Sequence, residues 1–202
     1  MPETLSPSSR KPRKSPTQAR SLATVEAIIE AAARILEATG TERFSTNAVA
    51  ERAGVSIGSL YQYFPSKQAL LWALIDRETS RLIRDATRAL DAPTGEAALD
   101  ILVEATVAHQ LRRPKLALLL DQEEARLPTD ADLQRVAGQF LDLVAKTLQR
   151  LGTSGTSDHQ EEARDVAAII KGMIDAAGAF GETDPVRLAR RVLRAVNGYL
   201  LH

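Results

Sequence analysis

Between Glu51 and Lys67 the chain reads ERAGVSIGSLYQYFPSK, a run of hydroxyls, small residues and one amide inside a sequence otherwise patterned for helices. Ser and Gly at the start of a short helix leave N–H groups facing outward, an arrangement that favours phosphate. The hydroxyls of Tyr61 and Tyr63 can reach phosphate oxygens while their rings touch sugar or a thymine methyl, and the Gln62 amide can pair through two hydrogen bonds with adenine. The chemistry on offer is recognition of a nucleic acid, carried by Ser56, Gly58, Ser59, Tyr61, Gln62 and Tyr63. The alternative is that the tyrosines pack at a helix crossing and serve only the fold.

Bond-making chemistry finds no comparable support. The 202 residues contain no cysteine, which excludes disulfides and thiolate metal sites, and the histidines His109, His159 and His202 are too scattered for a ligand spacing. Paired catalytic groups, a phosphate loop and a nucleophile beside a base are all lacking, so we expect no catalytic residue, no metal and no cofactor. The formal net charge is zero, but residues 1–75 carry nine Lys and Arg against six Asp and Glu, and the remainder seventeen against twenty. Most of that front-end excess comes from Arg10, Lys11, Arg13, Lys14 and Arg20. Such an arm suits a polyanion, or is simply a solvated tail; its Ser- and Pro-rich composition predicts disorder over residues 1–20. The N-terminus lacks a signal-peptide core, and no apolar run approaches the roughly eighteen residues that span a bilayer. A cytoplasmic location without membrane partners is expected.

The elements that must position these groups follow from periodicity. Val25, Ile28, Ile29, Ala32, Ile35 and Leu36 recur at three- and four-residue spacing and predict a helix from Leu22 that stops at Gly40. Two short helices come next, Thr46 to Ala53 closed by Gly54, and Ile57 to Phe64 closed by Pro65. A longer connector helix capped by Ser66 runs toward Leu90, and after the DAPTG break five more helices are expected over 95–111, 114–127, 130–151, 161–180 and from 184 to the end. GTSGTSDHQ, Gly152 to Gln160, reads as a flexible linker. The predicted fold class is all-α: a basic arm at 1–20, a helix-turn-helix domain at 21–68 and a helical bundle at 69–202.

Two short helices joined by a glycine turn are stable only when packed steeply against a third, here the helix from Leu22. Gly54 permits the positive φ of the turn, Ala53 keeps the crossing close, and Val49, Val55 and Leu60 fill the small core. Phe64 joins them by its spacing from Leu60.

The stretches IIEAAARILEATG, FSTNAVAERAGVSIGSLYQYFPSK and ALLWALI together resemble the tetracycline-repressor-like (TetR) family of transcriptional regulators. The resemblance implies a homodimer with an N-terminal domain for double-stranded, palindromic operator DNA and a C-terminal domain for a small-molecule effector. It implies that Thr46 and Asn47 contact the DNA backbone or a base, that Ser56, Ile57, Gly58 and Ser59 enter the major groove, and that Tyr61 and Tyr63 meet phosphate or base. Lys67 either holds a phosphate or is a solvated lysine beside a cap. Ile57 and Gln62 stand at positions that vary in the family and are the candidates for sequence choice. The arm from Arg10 to Lys14 is placed to reach a neighbouring minor groove. The function implied is a repressor released from its operator by the effector. An activator, a regulator needing a co-repressor, and a helical interaction protein with a vestigial DNA motif are the alternatives.

In the back half, Val186, Ala189, Leu193, Val196 and Leu200 form an apolar stripe, and Val166, Ile169, Ile170, Met173, Ile174 and Ala177 form another. Packing of both helices on their symmetry mates would make a four-helix dimer interface with Val166, Ile170, Ile174, Ala189, Leu193, Val196 and Leu200 at its centre; the alternative is a core within one chain. For the effector pocket the candidates are His109, Leu119, Glu123, Phe140 and Met173, with Phe180 nearby. Glu123 falls on an apolar arc with Leu116, Leu119, Leu120 and Leu127; it either pairs with an internal arginine, sits exposed at the edge of the arc, or meets a cationic ligand.

Overall fold

Among the residues described by the computed structural model, 19–126, 131–152 and 159–201, every regular element is helical. They divide into two compact units, one of residues up to 78 together with 119–126, the other of 79–118 and the described residues from 131 onward. The division falls inside the fourth helix. The arm residues Arg10, Lys11, Arg13 and Lys14, and linker residues 153–158, lie outside the described residues.

In the first unit, local chemistry places the helix ends. α1 (Ala19–Thr39) begins three residues before the expected Leu22 and closes at Gly40. α2 (Thr46–Ala53) starts at Ser45, whose hydroxyl accepts from the Ala48 N–H at 3.2 Å, and ends at Gly54 in the left-handed region with φ 68°. An L side chain there would be strained, so the turn requires its glycine. α3 (Ile57–Tyr63) is capped by Ser56, which accepts from the Ser59 N–H at 3.1 Å, and α4 (Lys67–Thr87) by Ser66, which accepts from Ala69 at 3.1 Å. Each such cap is worth about 1 kcal/mol.

Ile28 and Leu36 of α1, Val49 of α2, Leu60 of α3, Phe64, and Leu70 and Leu74 of α4 are all fully buried. Burying each side chain contributes about 1.5–3 kcal/mol. Val55, expected among them, is only half-buried. It follows the left-handed glycine and donates its N–H back to Ala50 at 3.0 Å, which holds it at the rim of the turn. α4 also brings a charge inside. The buried Arg77 donates from Nε to Glu78 Oε1 at 3.0 Å, its Nη2 lies 2.8 Å from the same oxygen, and its Nη1 reaches Glu30 on α1 at 3.3 Å.

The connector helix does not continue to Leu90. α4 gives way at Arg88 to a 3₁₀ turn over Arg88–Asp91, where the Arg150 guanidinium collects the carbonyls of Ala89, Leu90 and Ala92. α5 (Gly95–Arg112) is capped by Thr94, α6 (Pro114–Glu124) stops short of the expected Leu127, and α7 (Ala131–Leu151), α8 (His159–Ala179) and α9 (Pro185–Leu200) follow. The Asp184 side chain caps α9 at the Arg187 N–H, 3.0 Å away, ahead of Pro185.

α5 is the centre of the second unit: it packs against α7, α8 and α9. Its Leu99, Leu102 and Val103 meet Val144 and Leu148 of α7, Val166, Ile170 and Ile174 of α8, and Leu188, Val192 and Val196 of α9 in one core. Gly95 sits against the end of α7 so closely that a Cβ would lie 2.5 Å from the Arg150 carbonyl oxygen and 2.6 Å from the Leu151 nitrogen. Both are backbone atoms and cannot swing aside. Gly95→Ala is therefore expected to destabilise the protein by about 1–3 kcal/mol, read as a lower urea midpoint at unchanged slope.

This core corrects the expected dimer interface. Val166, Ile170, Ile174, Ala189 and Val196 are buried within the chain itself, and Leu193 and Leu200 are half-buried against the same core. The stripes are real, but the helices that cover them, α5, α7 and each other, belong to the same chain. Periodicity reports that a face is buried, not whether its cover comes from the same chain.

Candidate nucleic-acid interface

α3 has one face committed to the core, through Leu60, and another turned outward. Ile57 (39 % exposed), Gly58, Tyr61 (42 % exposed) and Gln62 are exposed, while Ser59 and Tyr63 are half-buried. The cap shapes the start of this face. Ser56 Oγ lies 2.8 Å from Ser59 Oγ and also takes the Ser59 N–H, leaving Ile57 and Gly58 to supply the free first-turn N–H groups. A Cβ on Gly58 would meet nothing nearer than Ser56 Oγ at 3.9 Å. The fold has room for a side chain there, and glycine weakens a helix by about 1 kcal/mol relative to alanine.

Both tyrosines are held by hydroxyls from other helices. Tyr61 OH pairs with Thr46 Oγ1 at 3.1 Å at the start of α2, and Tyr63 OH pairs with Ser21 Oγ at 3.0 Å in the first turn of α1. Asn47 is exposed beside Thr46. Phe64 is the aromatic that enters the core. Ser21 did not emerge from the sequence, since nothing local marks a serine whose partner lies 42 residues away.

Lys67 makes two contacts within the protein. Its ammonium donates to the Thr41 carbonyl at 2.7 Å and lies 5.6 Å from the centre of the Phe44 ring. It staples the α1–α2 loop to the start of α4 with one of its three N–H groups, and the side chain is half-buried.

The five effector candidates fall in both units. Leu119 is half-buried, and Glu123 pairs at 2.8 Å with Arg126, whose side chain is 67 % exposed. Of the others, His109 is half-buried on α5, and Phe140 and Met173 pack on the core of the second unit. Phe180 is 90 % exposed, which corrects its expected place in a pocket: it lies just beyond α8, where the chain leaves the core to turn. No helix among the described residues is long and apolar enough to cross a membrane.

The pattern of the bacterial regulatory proteins, tetR family, matches residues 28–74, from the core of α1 through the first half of α4. The chain is 29 % identical over 147 residues to the HTH-type transcriptional regulator Rv1255c of Mycobacterium tuberculosis, covering 73 % of this chain and 72 % of that protein. It is 44 % identical over 81 residues to the HTH-type transcriptional repressor KstR of Mycolicibacterium smegmatis, covering 37 % of this chain and 36 % of that one. Its fold is similar to that of the fatty acid degradation regulator FadR from Bacillus halodurans, with a TM-score of 0.72 at 20 % identity over 85 % of this chain and 96 % of the other. The helix-turn-helix thus lies inside a segment, residues 28–74, that carries the pattern of the tetR family of bacterial regulatory proteins, and the all-helical fold is similar to that of FadR along most of the chain's length.

Proposed function

We propose that this protein is a sequence-specific DNA-binding regulator that represses from a palindromic operator as a cytoplasmic homodimer, without catalytic activity, and is released by a small-molecule effector. The observation that carries the reading is the outward face of α3. Gly58 leaves open a place that the fold could fill, and around it stand the exposed Tyr61, Gln62 and Ile57. A glycine on a surface the protein does not need suits close approach of DNA. Gln62 and Ile57 read bases in the major groove, while Thr46, Tyr61 and Tyr63 hold the backbone. KstR, named as a repressor, supports that sign of regulation. Release is a population shift: the effector favours a dimer whose two recognition helices no longer match successive major grooves. Selection of binding sites from genomic fragments tests the reading. A palindrome is expected, and recovery of only salt-sensitive, sequence-independent binding would overturn it.

The dimer face moves with the corrected core. On the outer side of α8, Ala168, Gly172 and Ala176 are exposed at four-residue spacing, and nothing lies within 4 Å of a Cβ built on Gly172. Beside them Tyr199 of α9 donates to Asp165 of α8 at 2.8 Å, a bond that raises the phenol's pKa above its ordinary value. Small residues let a partner helix approach closely, and a two-fold interface doubles any defect. Gly172→Arg is expected to give monomers by sedimentation and to weaken operator binding about a hundredfold or more, since about half of the phosphate and base contacts are lost with one subunit. A variant that stayed dimeric would remove this face from consideration.

A further inference from the structure

We propose that Ser21 is a positioning residue for DNA binding: its hydroxyl holds that of Tyr63 so that the phenol donates to an operator phosphate on one flank of α3, as Thr46 and Tyr61 do on the other. The proposal rests on the DNA-binding reading above. Ser21 and Tyr63 stand 42 residues apart, yet their oxygens are 3.0 Å apart at a half-buried site, and either can be the donor. The pair owns two O–H groups and uses one between its members, so one proton is left to give away. When Ser21 donates to Tyr63, that spare proton is the phenolic one. A phenol whose oxygen already accepts a hydrogen bond is polarised into a stronger donor, and an arriving phosphate oxygen selects this direction of the chain.

The Thr46–Tyr61 pair repeats the device at 3.1 Å. In both, a hydroxyl from the first turn of an earlier helix, α1 or α2, meets a tyrosine of α3. Residues two apart on a helix point about 200° apart around its axis. Tyr61 and Tyr63 therefore leave α3 on opposite flanks. A helix lying in the major groove has one phosphate backbone on each side, so the two pairs address phosphates of opposite strands. Neither hydroxyl brings a charge, so these contacts release no counterions; they should set affinity without altering its salt dependence.

The test uses the full chain and the duplex recovered by site selection. Ser21→Ala is expected to weaken binding about 5-fold and Tyr63→Phe about 10-fold, the double variant being no weaker than Tyr63→Phe alone, while Ser21→Thr binds like the wild type. Salt slope and sequence preference stay as in the wild type. In a scan of single methylphosphonate substitutions, Ser21→Ala and Tyr63→Phe should lose sensitivity at the same phosphate, and Thr46→Ala and Tyr61→Phe at one on the opposite strand. Wild-type affinity in Ser21→Ala, additive losses in the double variant, or a shallower salt slope pointing to a disturbed basic arm would each overturn the proposal and leave the DNA-binding reading standing. Failure of the wild type itself to bind the selected duplex would sink that reading instead.

Discussion

Arg77→Ala is expected to destabilise the protein by about 3–5 kcal/mol, among the largest losses any single replacement should cause. The guanidinium is 7 % exposed and faces the Glu78 carboxylate, 10 % exposed, across 2.8 Å, with Glu30 on α1 completing the cluster at 3.3 Å. Taking away the cation removes the guanidinium that lies 2.8 Å from the Glu78 carboxylate, in a site too dry for water to replace it. The loss comes mainly from that carboxylate, so the pair itself need not be worth so much. Arg77→Met combined with Glu78→Gln should recover a substantial part of the stability lost in Arg77→Ala. Urea unfolding of the two variants separates the cases, and an Arg77→Ala protein within about 1 kcal/mol of the wild type would show that the cluster is solvated in solution. Because Glu30 belongs to α1, the same replacement should also loosen α1 from α4, seen as faster amide exchange along α1.

The second large effect is expected from Phe64→Ala. This ring is fully buried at the end of α3, and its N–H closes the helix onto the Leu60 carbonyl at 2.8 Å. Its removal leaves a cavity between α3 and the neighbours that share its core, at about 3–5 kcal/mol. Set against a total stability of about 5–15 kcal/mol, that removes most of the margin of a protein at the lower end of the range. Operator binding should fall with it although no outward residue has changed, and Phe64→Leu should keep most of both. A Phe64→Ala protein that melted like the wild type would show that the site collapses around the smaller residue.

These two positions differ in how they could be found. Phe64 follows from its four-residue spacing to Leu60, a local fact. Arg77 looks like any surface arginine in sequence, and only the packing of α1 on α4 puts Glu30 opposite it. The helix-turn-helix was legible for the same reason as Phe64. Caps and turns act within three or four residues, so Ser45, Gly54, Ser56, Ser66 and the Asp184–Pro185 pair mark their helix ends whatever surrounds them. The end of α4 is less legible, since the Arg150 guanidinium that binds the Ala89 and Leu90 carbonyls beyond it comes from about sixty residues downstream.

The sequence by itself determined the all-helical class, the positions of most helix ends, and the outward placement of Ser56, Gly58, Tyr61 and Gln62, whereas Ser59 and Tyr63, read as outward too, are half-buried. Only the tertiary structure decided that the apolar stripes of α8 and α9 close within the chain on α5, α7 and each other, that Lys67 is a staple on Thr41 and Phe44, and that Ser21 meets Tyr63. The physical reason is range. Helix periodicity and capping are encoded over a turn or so of chain, whereas the choice of which surface covers a buried stripe, or which group satisfies a lysine or a tyrosine, belongs to contacts between segments that no local spacing records.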